Sequence, residues 1–336
     1  MKKGNPEITV GMPVYNERKF IEKTLESLLN QTYQNFEVVI SDNSSTDGTD
    51  KICEEYAKKE KRIKFFRQKK NLGALKNFKF VLDQAKTPFF IWLSGHDIWH
   101  PQLLEKLLNS FKKSNDDKII LVFPKVIDSS SNTEYTWIQK EDTSEIENAI
   151  ERYKRILEDL GSFTIYGLWK KEVLEKINFP ETIVSDAYML AQGALIGKYK
   201  FEPEAIVYRT INHPIFIGTE DNLFRQILHL KPHNKFYYMI YHSIIDKIPG
   251  KYRESILRLV LVPEEIKFIF ESVRICLLAD KLNSNISQKQ KIYLALWSVH
   301  ILPYLLYKTM PDSKILQLYA KFCEFSSKIL KKVKNL

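Results

Sequence analysis

The sequence predicts an α/β fold, a mainly parallel sheet with helices on both faces, followed by a helical C-terminal region. Three observations predict it. Short apolar runs alternate with amphipathic helical patterns through residues 1–125, the pattern of parallel strands joined by crossover helices. Each of the first four runs empties into a loop of polar residues, and open α/β sheets bind ligands at the C-terminal ends of their strands. From about Asp221 onward the pattern is helical, punctuated by Pro232, Pro249 and Pro303.

The elements follow in order. Ile8–Met12 reads as the first strand, and Ile21, Leu25, Leu28 and Leu29 then share one helical face. Phe36–Ile40 is the second strand, with Ile52, Cys53, Tyr56 and Ala57 marking the next helix. Ile63–Phe66 and Phe89–Leu93 are the third and fourth strands, separated by a helix through Ala74, Phe78, Val81 and Leu82. Leu103, Leu104, Leu107, Leu108 and Phe111 form a further helix, and Ile119–Phe123 closes the series. The stretch 124–220 is less regular: a turn at 128–132, helices over Glu145–Leu160 and Ala187–Ile196, and a late strand at Ala205–Arg209. A boundary near 220 divides the chain into domains 1–220 and 221–336.

Composition narrows the class. At 336 residues with 44% hydrophobic and 27% charged residues, the chain has the make-up of a soluble globular protein. Its three cysteines, Cys53, Cys276 and Cys323, are odd in number and far apart, which speaks against a disulfide framework or a cysteine zinc site and fits a reducing, cytoplasmic compartment. MKKGNPEITV has no apolar run behind its lysines, so no signal peptide is expected. Ile292–Met310, the nearest approach to a spanning helix, is broken by Ser298, His300, Pro303 and Lys308. The net charge of +10 calls for an anionic partner. No zinc-finger or RNA-recognition signature makes nucleic acid that partner.

The loops carry the chemistry. Phe89–Leu93 runs out through Ser94, Gly95 and His96 to Asp97, a carboxylate at a strand end. It is either a ligand-binding group or a simple turn former. After the first strand, Tyr15 offers a flat face for a base and Asn16 is expected to cap the next helix. After the second, Asp42 is placed to accept from a ring N–H or ribose hydroxyl, while Thr46 or Asp47 caps the following helix. After the third, Asn71-Leu72-Gly73 suits close approach of backbone to ligand, and Lys76 could reach a phosphate. Neither a phosphate-cradling G-x-x-x-x-G-K-[ST] loop nor a G-x-G-x-x-G fingerprint is present.

PVYNE, the Ser41–Thr49 loop, NLG and WLSGHDIWHP, in this order and spacing, resemble the family 2 glycosyltransferases with a GT-A fold, of the bacterial surface-polysaccharide type. The resemblance covers residues 6–215. It implies that Pro13, Val14, Tyr15 and Asp42 hold the base and that Asn71 lies near base and ribose. Glu17, Lys76, Gly95 and His96 complete the candidate nucleotide-sugar set. Asp97 matches the metal-bound carboxylate of an Asp-x-Asp motif, so Mg²⁺ or Mn²⁺ is expected; the motif's first Asp is replaced by Gly95. Gly167 and Trp169 match the acceptor side, and Asp186 the catalytic base, although Asp186 also reads as a helix N-cap. The donor implied is a nucleotide-diphosphate sugar, UDP-linked first, and the acceptor a saccharide or lipid-linked saccharide. A Gln-x-x-Arg-Trp signature is absent, which favours one sugar per encounter. The alternatives are a polyprenyl-phosphate glycosyltransferase of the same fold and a non-catalytic nucleotide-sugar-binding relative.

Residues 251–336 hold 15 Lys/Arg against 7 Asp/Glu. Ile315, Leu316, Leu318, Tyr319 and Phe322 share the last helical stretch with Lys314, Lys321, Lys328, Lys331 and Lys332. This is either a basic amphipathic surface for the anionic inner face of a membrane or a helical cap with solvated lysines.

Overall fold

A computed structural model describes residues 5–129, 132, 134, 136–159, 163–179, 185–210, 279–288, 290–292 and 294. The strands are β1 (Ile8–Val14), β2 (Phe36–Asp42), β3 (Ile63–Arg67), β4 (Phe89–Trp92), β5 (Ile98–Trp99), β6 (Ile119–Asp128), β7 (Leu168–Lys170) and β8 (Lys198–Arg209). The helices are α1 (Ile21–Leu29), α2 (Thr49–Lys59), α3 (Ala74–Asp83), α4 (Leu103–Lys113), α5 (Ala149–Asp159), α6 (Lys171–Leu174), α7 (Ser185–Ile196) and α8 (Ala279–Leu282). Two 3-10 turns, Thr136–Glu141 and Phe163–Tyr166, join the later elements.

All eight strands form one sheet in the order β3-β2-β1-β4-β7-β6-β8-β5. β1, β2, β3 and β4 pair in parallel, as does β6 with β8. Only β7 and β5 run against their neighbours. The central strands are apolar without alternation because both faces are covered. Val10, Val38, Ile40 and Ile91 pack with Ile21, Leu25 and Leu104 on the α1, α2 and α4 side. Val39, Phe90, Trp92 and Leu121 pack with Val81, Leu82, Ile156 and Leu190 on the α3, α5 and α7 side. Successive residues of one strand thus feed opposite cores, as the pleat requires. β3 is an edge strand with exposed Lys64 and Arg67, a charge placement that discourages further pairing.

The chain builds outward from β1 to β2 and β3, then returns to the other side of β1 as β4. The loops leaving β1 and β4 therefore part in opposite directions and leave a crevice at their C-terminal ends. That crevice is the topological origin of the candidate site.

The first four expected strands and the four early helices are present. The fifth strand does not close the series: it runs on to Asp128 and pairs with β8, which begins at Lys198 rather than Ala205. β5 and β7, two and three residues long, are too short to carry a period. α5 begins at Ala149, not Glu145, because the Asn148 side chain accepts the Ile150 amide at 2.8 Å and caps the helix there. The expected turn at 128–132 is present, with Asn132 donating to the Asp128 carbonyl at 2.9 Å. Of the C-terminal region, α8 packs on α7, where the Asn283 amide donates to the Leu195 carbonyl at 2.9 Å. The boundary near 220 and the basic stretch 311–336 lie outside the described residues. Among the described residues no helix is long and apolar enough to cross a membrane.

Candidate functional site

The loops after β1 and β2 are stitched together by side chain to backbone bonds. Asn16, at φ 56°, donates its amide to the Ser45 hydroxyl at 2.9 Å and accepts the Thr46 amide at 2.9 Å. Asn16 therefore does not cap α1; that helix begins at Ile21 with no side-chain cap. Its polar atoms are already committed to the neighbouring loop. Asp47 does serve the start of α2, accepting both the amide and the hydroxyl of Thr49, at 3.0 and 2.6 Å. Its other oxygen takes the Arg18 amide at 3.0 Å. Burial alone would raise the Asp47 pKa, but these donors hold it below the usual carboxylate value. Gly48 between them sits at φ 98°, a left-handed geometry that favours glycine.

Asp42 ends β2 and is fully buried. One oxygen accepts the Ser45 amide at 3.0 Å and lies 3.6 Å from the Arg67 guanidinium. The other, Oδ1, is buried with no hydrogen-bond partner among the described residues, and such an acceptor is rare in a protein interior unless a ligand or water meets it. Beside it, Asn43 accepts the Leu72 amide at 2.8 Å and donates to Asn71 Oδ1 at 2.9 Å. Asn71 thus locks the loop after β3 to the loop after β2. Pro13 and Tyr15 are half-buried and Val14 is buried, at the end of β1, while Lys76 is exposed in the first turn of α3.

Across the crevice, Glu17 and His96 form a buried pair, Oε1 to Nδ1 3.0 Å. Burial would push the imidazole down; the hydrogen bond and charge of Glu17, and then Asp97, push it up further, against Arg209. The net shift is upward, so the ring is held as a cation toward higher pH. Gly95 is required by this packing: a Cβ there would fall 2.6 Å from Glu17 Cγ. The Glu17 side chain thus fills the space beside residue 95 that an acidic residue there would enter. Asp97 is buried and accepts the Thr210 amide at 3.2 Å.

A third wall comes from β7, α7 and β8. The Arg209 guanidinium stacks 3.6 Å over the Phe163 ring. Tyr166, three residues on, reaches Ser94 with its hydroxyl and feels Arg209, Asp97 and Asp186. Asp186 lies in the first turn of α7, partly exposed, and accepts the Ala187 amide at 2.9 Å. Gly167 and Trp169 turn away from this wall. A Cβ on Gly167 would lie 2.6 Å from the Val122 carbonyl, and Trp169 is fully buried with its indole N–H on the Ile165 carbonyl at 2.9 Å. The structure thus gathers Glu17, His96, Asp97 and Asp186 around the crevice. Sequence reasoning missed the Glu17–His96 pair, the Phe163–Arg209 stack and the place of Tyr166, none of which has a spacing signal. Among the described residues no group of three or more His, Cys, Asp or Glu is arranged to hold a metal ion.

The model described as glycosyl transferase family 2 matches residues 9–177, from the start of β1 past β7. The chain belongs to that family. A glycosyltransferase of Haemophilus influenzae, itself uncharacterized, is 32% identical over 110 residues, covering 33% of this chain and 34% of its own. TuaG of Bacillus subtilis, provisionally named a teichuronic acid biosynthesis glycosyltransferase, is 35% identical over 108 residues, 32% of this chain and 43% of that one. The matches thus span well under half of these relatives. S. aureus TarS 1-349 superposes with a TM-score of 0.54 at 19% identity, over 96% of this chain and 91% of that one. The family 2 domain here has the GT-A arrangement, with its crevice at the β1–β4 switch point.

Proposed function

We propose that this glycosyltransferase moves a sugar from a UDP-linked donor to a saccharide or lipid-linked acceptor in cell-surface glycan synthesis, with inversion. The observation that carries the proposal is the convergence of Asp97 and Asp186, on separate elements, upon Tyr166. A displacement needs charge stabilisation at the leaving diphosphate and a base at the attacking hydroxyl, and these carboxylates stand on two sides of one crevice. TarS has been solved in complex with UDP-GlcNAc, and the name of TuaG points to a surface polysaccharide; both support the class of donor and product.

In this reading Tyr15 and Pro13 flank the base, and Asp42 Oδ1 accepts the uracil ring N–H that its buried, unpartnered state calls for. Asn71 fixes the loop beside it. Glu17 and His96 form the floor, and Arg209 and Lys76 bring positive charge to the diphosphate. Asp186 takes the acceptor proton as the hydroxyl attacks the anomeric carbon from the face opposite the diphosphate. The described residues offer no cage of protein ligands, but a hard cation shared between one carboxylate and substrate phosphates fits Asp97. Bound there, Mg²⁺ or Mn²⁺ would neutralise leaving-group charge. The basic C-terminal region is proposed to hold the protein on the anionic inner membrane face.

Asp186→Asn tests the assignment. Expected is a fall in kcat of about 10²–10⁴-fold with UDP affinity unchanged. Undiminished turnover overturns the base and favours a phosphate acceptor, which needs little base catalysis.

A further inference from the structure

The 3-10 turn Phe163–Tyr166 packs against β4, β6 and α7. β7 pairs Trp169 with Phe90 and Lys170 with Phe89. That antiparallel register, followed back along the chain, brings Tyr166 beside Leu93 and Ser94, where β4 ends. Phe78 of α3 packs edge-on against the Tyr166 ring with centroids 6.3 Å apart, so the ring is fixed from the helix side. The phenol oxygen meets Ser94, and Arg209, Asp97 and Asp186 surround it electrostatically. Phe163 in the same turn carries the Arg209 guanidinium. A phenol both accepts and donates. With Ser94 donating to its oxygen, its own hydrogen remains for a group lying between the two carboxylates.

The order of strands says which group that is. Asp42 ends β2, Glu17 follows β1, His96 and Asp97 follow β4, and Tyr166 precedes β7. Along the sheet this is β2, β1, β4, β7, three strand spacings or about 14 Å. A nucleotide sugar has its own linear order: base, ribose, diphosphate, sugar. With the base at Asp42 and the diphosphate at Asp97, the next group along is the sugar.

We propose that Tyr166 is a sugar-binding residue that donates its phenolic hydrogen to an oxygen of the transferred sugar, between Asp97 and Asp186. This rests on the donor reading above. A site that hydrogen-bonds a substrate hydroxyl discriminates against ligands lacking it, so Tyr166 contributes to donor-sugar choice.

The test is calorimetric titration of the full chain and of Tyr166→Phe, at matched melting temperature. The ligands are UDP, UDP-glucose, UDP-galactose and UDP-N-acetylglucosamine. Expected is an unchanged Kd for UDP and about tenfold weaker binding of the UDP-sugar that the wild type prefers, the size of one lost hydrogen bond. Equal weakening of UDP and UDP-sugar overturns the proposal, because the turn would then act on the nucleotide. Unchanged UDP-sugar binding in the variant overturns it too, as does a wild type that binds no UDP-sugar better than UDP. A wild type that does not bind UDP at all removes the donor reading before Tyr166 is altered, and the proposal falls with it.

Discussion

Glu17 Oε1 and His96 Nδ1 lie 3.0 Å apart across the crevice between β1 and β4, both nearly closed to solvent. The groups that act on the imidazole besides Glu17 are Asp97, which favours the cation, and Arg209, which opposes it. The pKa of His96 is raised above its ordinary 6.5 in the folded chain. A raised histidine stabilises the fold fully below the unfolded pKa, and that contribution is lost as pH rises through the folded one. Glu17→Gln keeps the shape and removes the charge. Its His96 ring is expected to titrate lower by NMR. Its urea midpoint is expected to fall less than that of the wild type as pH rises from about 6.5. Identical pH profiles for the two proteins would show the pair to be uncharged.

The same pair explains residue 95. A methyl at Gly95 meets Glu17 Cγ at 2.6 Å and Cβ at 3.1 Å, atoms near the root of the side chain with little room to give. Gly95→Ala is expected to cost about 1–3 kcal/mol, the range for forcing extra atoms into a packed site. Adding Glu17→Ala should recover much of that loss, since the two changes share one space and do not add. Equilibrium denaturation of the two single variants and the double variant checks this; strict additivity would refute the steric account.

This pairing marks the limit of what the sequence makes legible. The four strands β1 to β4 were readable because each is a run buried on both faces, and the loops behind them because polar clusters interrupt apolar runs. Asp42, Asp97 and Asp186 could be singled out from their places at strand or helix ends. The Glu17–His96 contact joins residues 79 apart in sequence, and no periodicity relates them. Asn16 misled for a similar reason: an Asn ahead of a helix reads as a cap, but its partner, Thr46, is supplied by a different loop. Trp169 had the composition of a cleft residue, yet β7 sits in the middle of the sheet and directs its indole into the core.

Asp42 gives a test of the base pocket. Its Oδ1 is buried without a partner among the described residues, while Oδ2 is occupied by the Ser45 amide. A uracil ring offers an N–H to such an oxygen and a cytosine ring does not. Asp42→Asn is expected to weaken UDP binding about tenfold or more, the worth of a hydrogen bond to a charged group. The preference for UDP over CDP should narrow with it. Calorimetric titration with both nucleotides decides the point, and an undiminished UDP preference would place the base elsewhere.

Arg152 reaches the site through packing alone. It is buried in α5, and its Nε–H donates to the Ala194 carbonyl of α7 at 2.8 Å. Its Nη1 donates to the carbonyls of Ile146 and Glu147 at 3.0 and 2.7 Å. One guanidinium therefore ties α7, whose first turn carries Asp186, to the segment that leads into α5. Methionine at this position keeps the apolar stem and leaves three carbonyls without their donor. Arg152→Met is expected to destabilise the chain by about 2–4 kcal/mol, given roughly 1–3 kcal/mol for a buried polar group stranded without a partner. Arg152→Lys should lose less, since one ammonium can serve some of the same carbonyls. At a temperature where each variant remains folded, turnover should fall while UDP affinity holds, because α7 carries the proposed base and the nucleotide loops lie at β1 and β2. A uniform loss of UDP binding in Arg152→Met would mean that the α5–α7 clamp supports the whole sheet rather than the placement of Asp186.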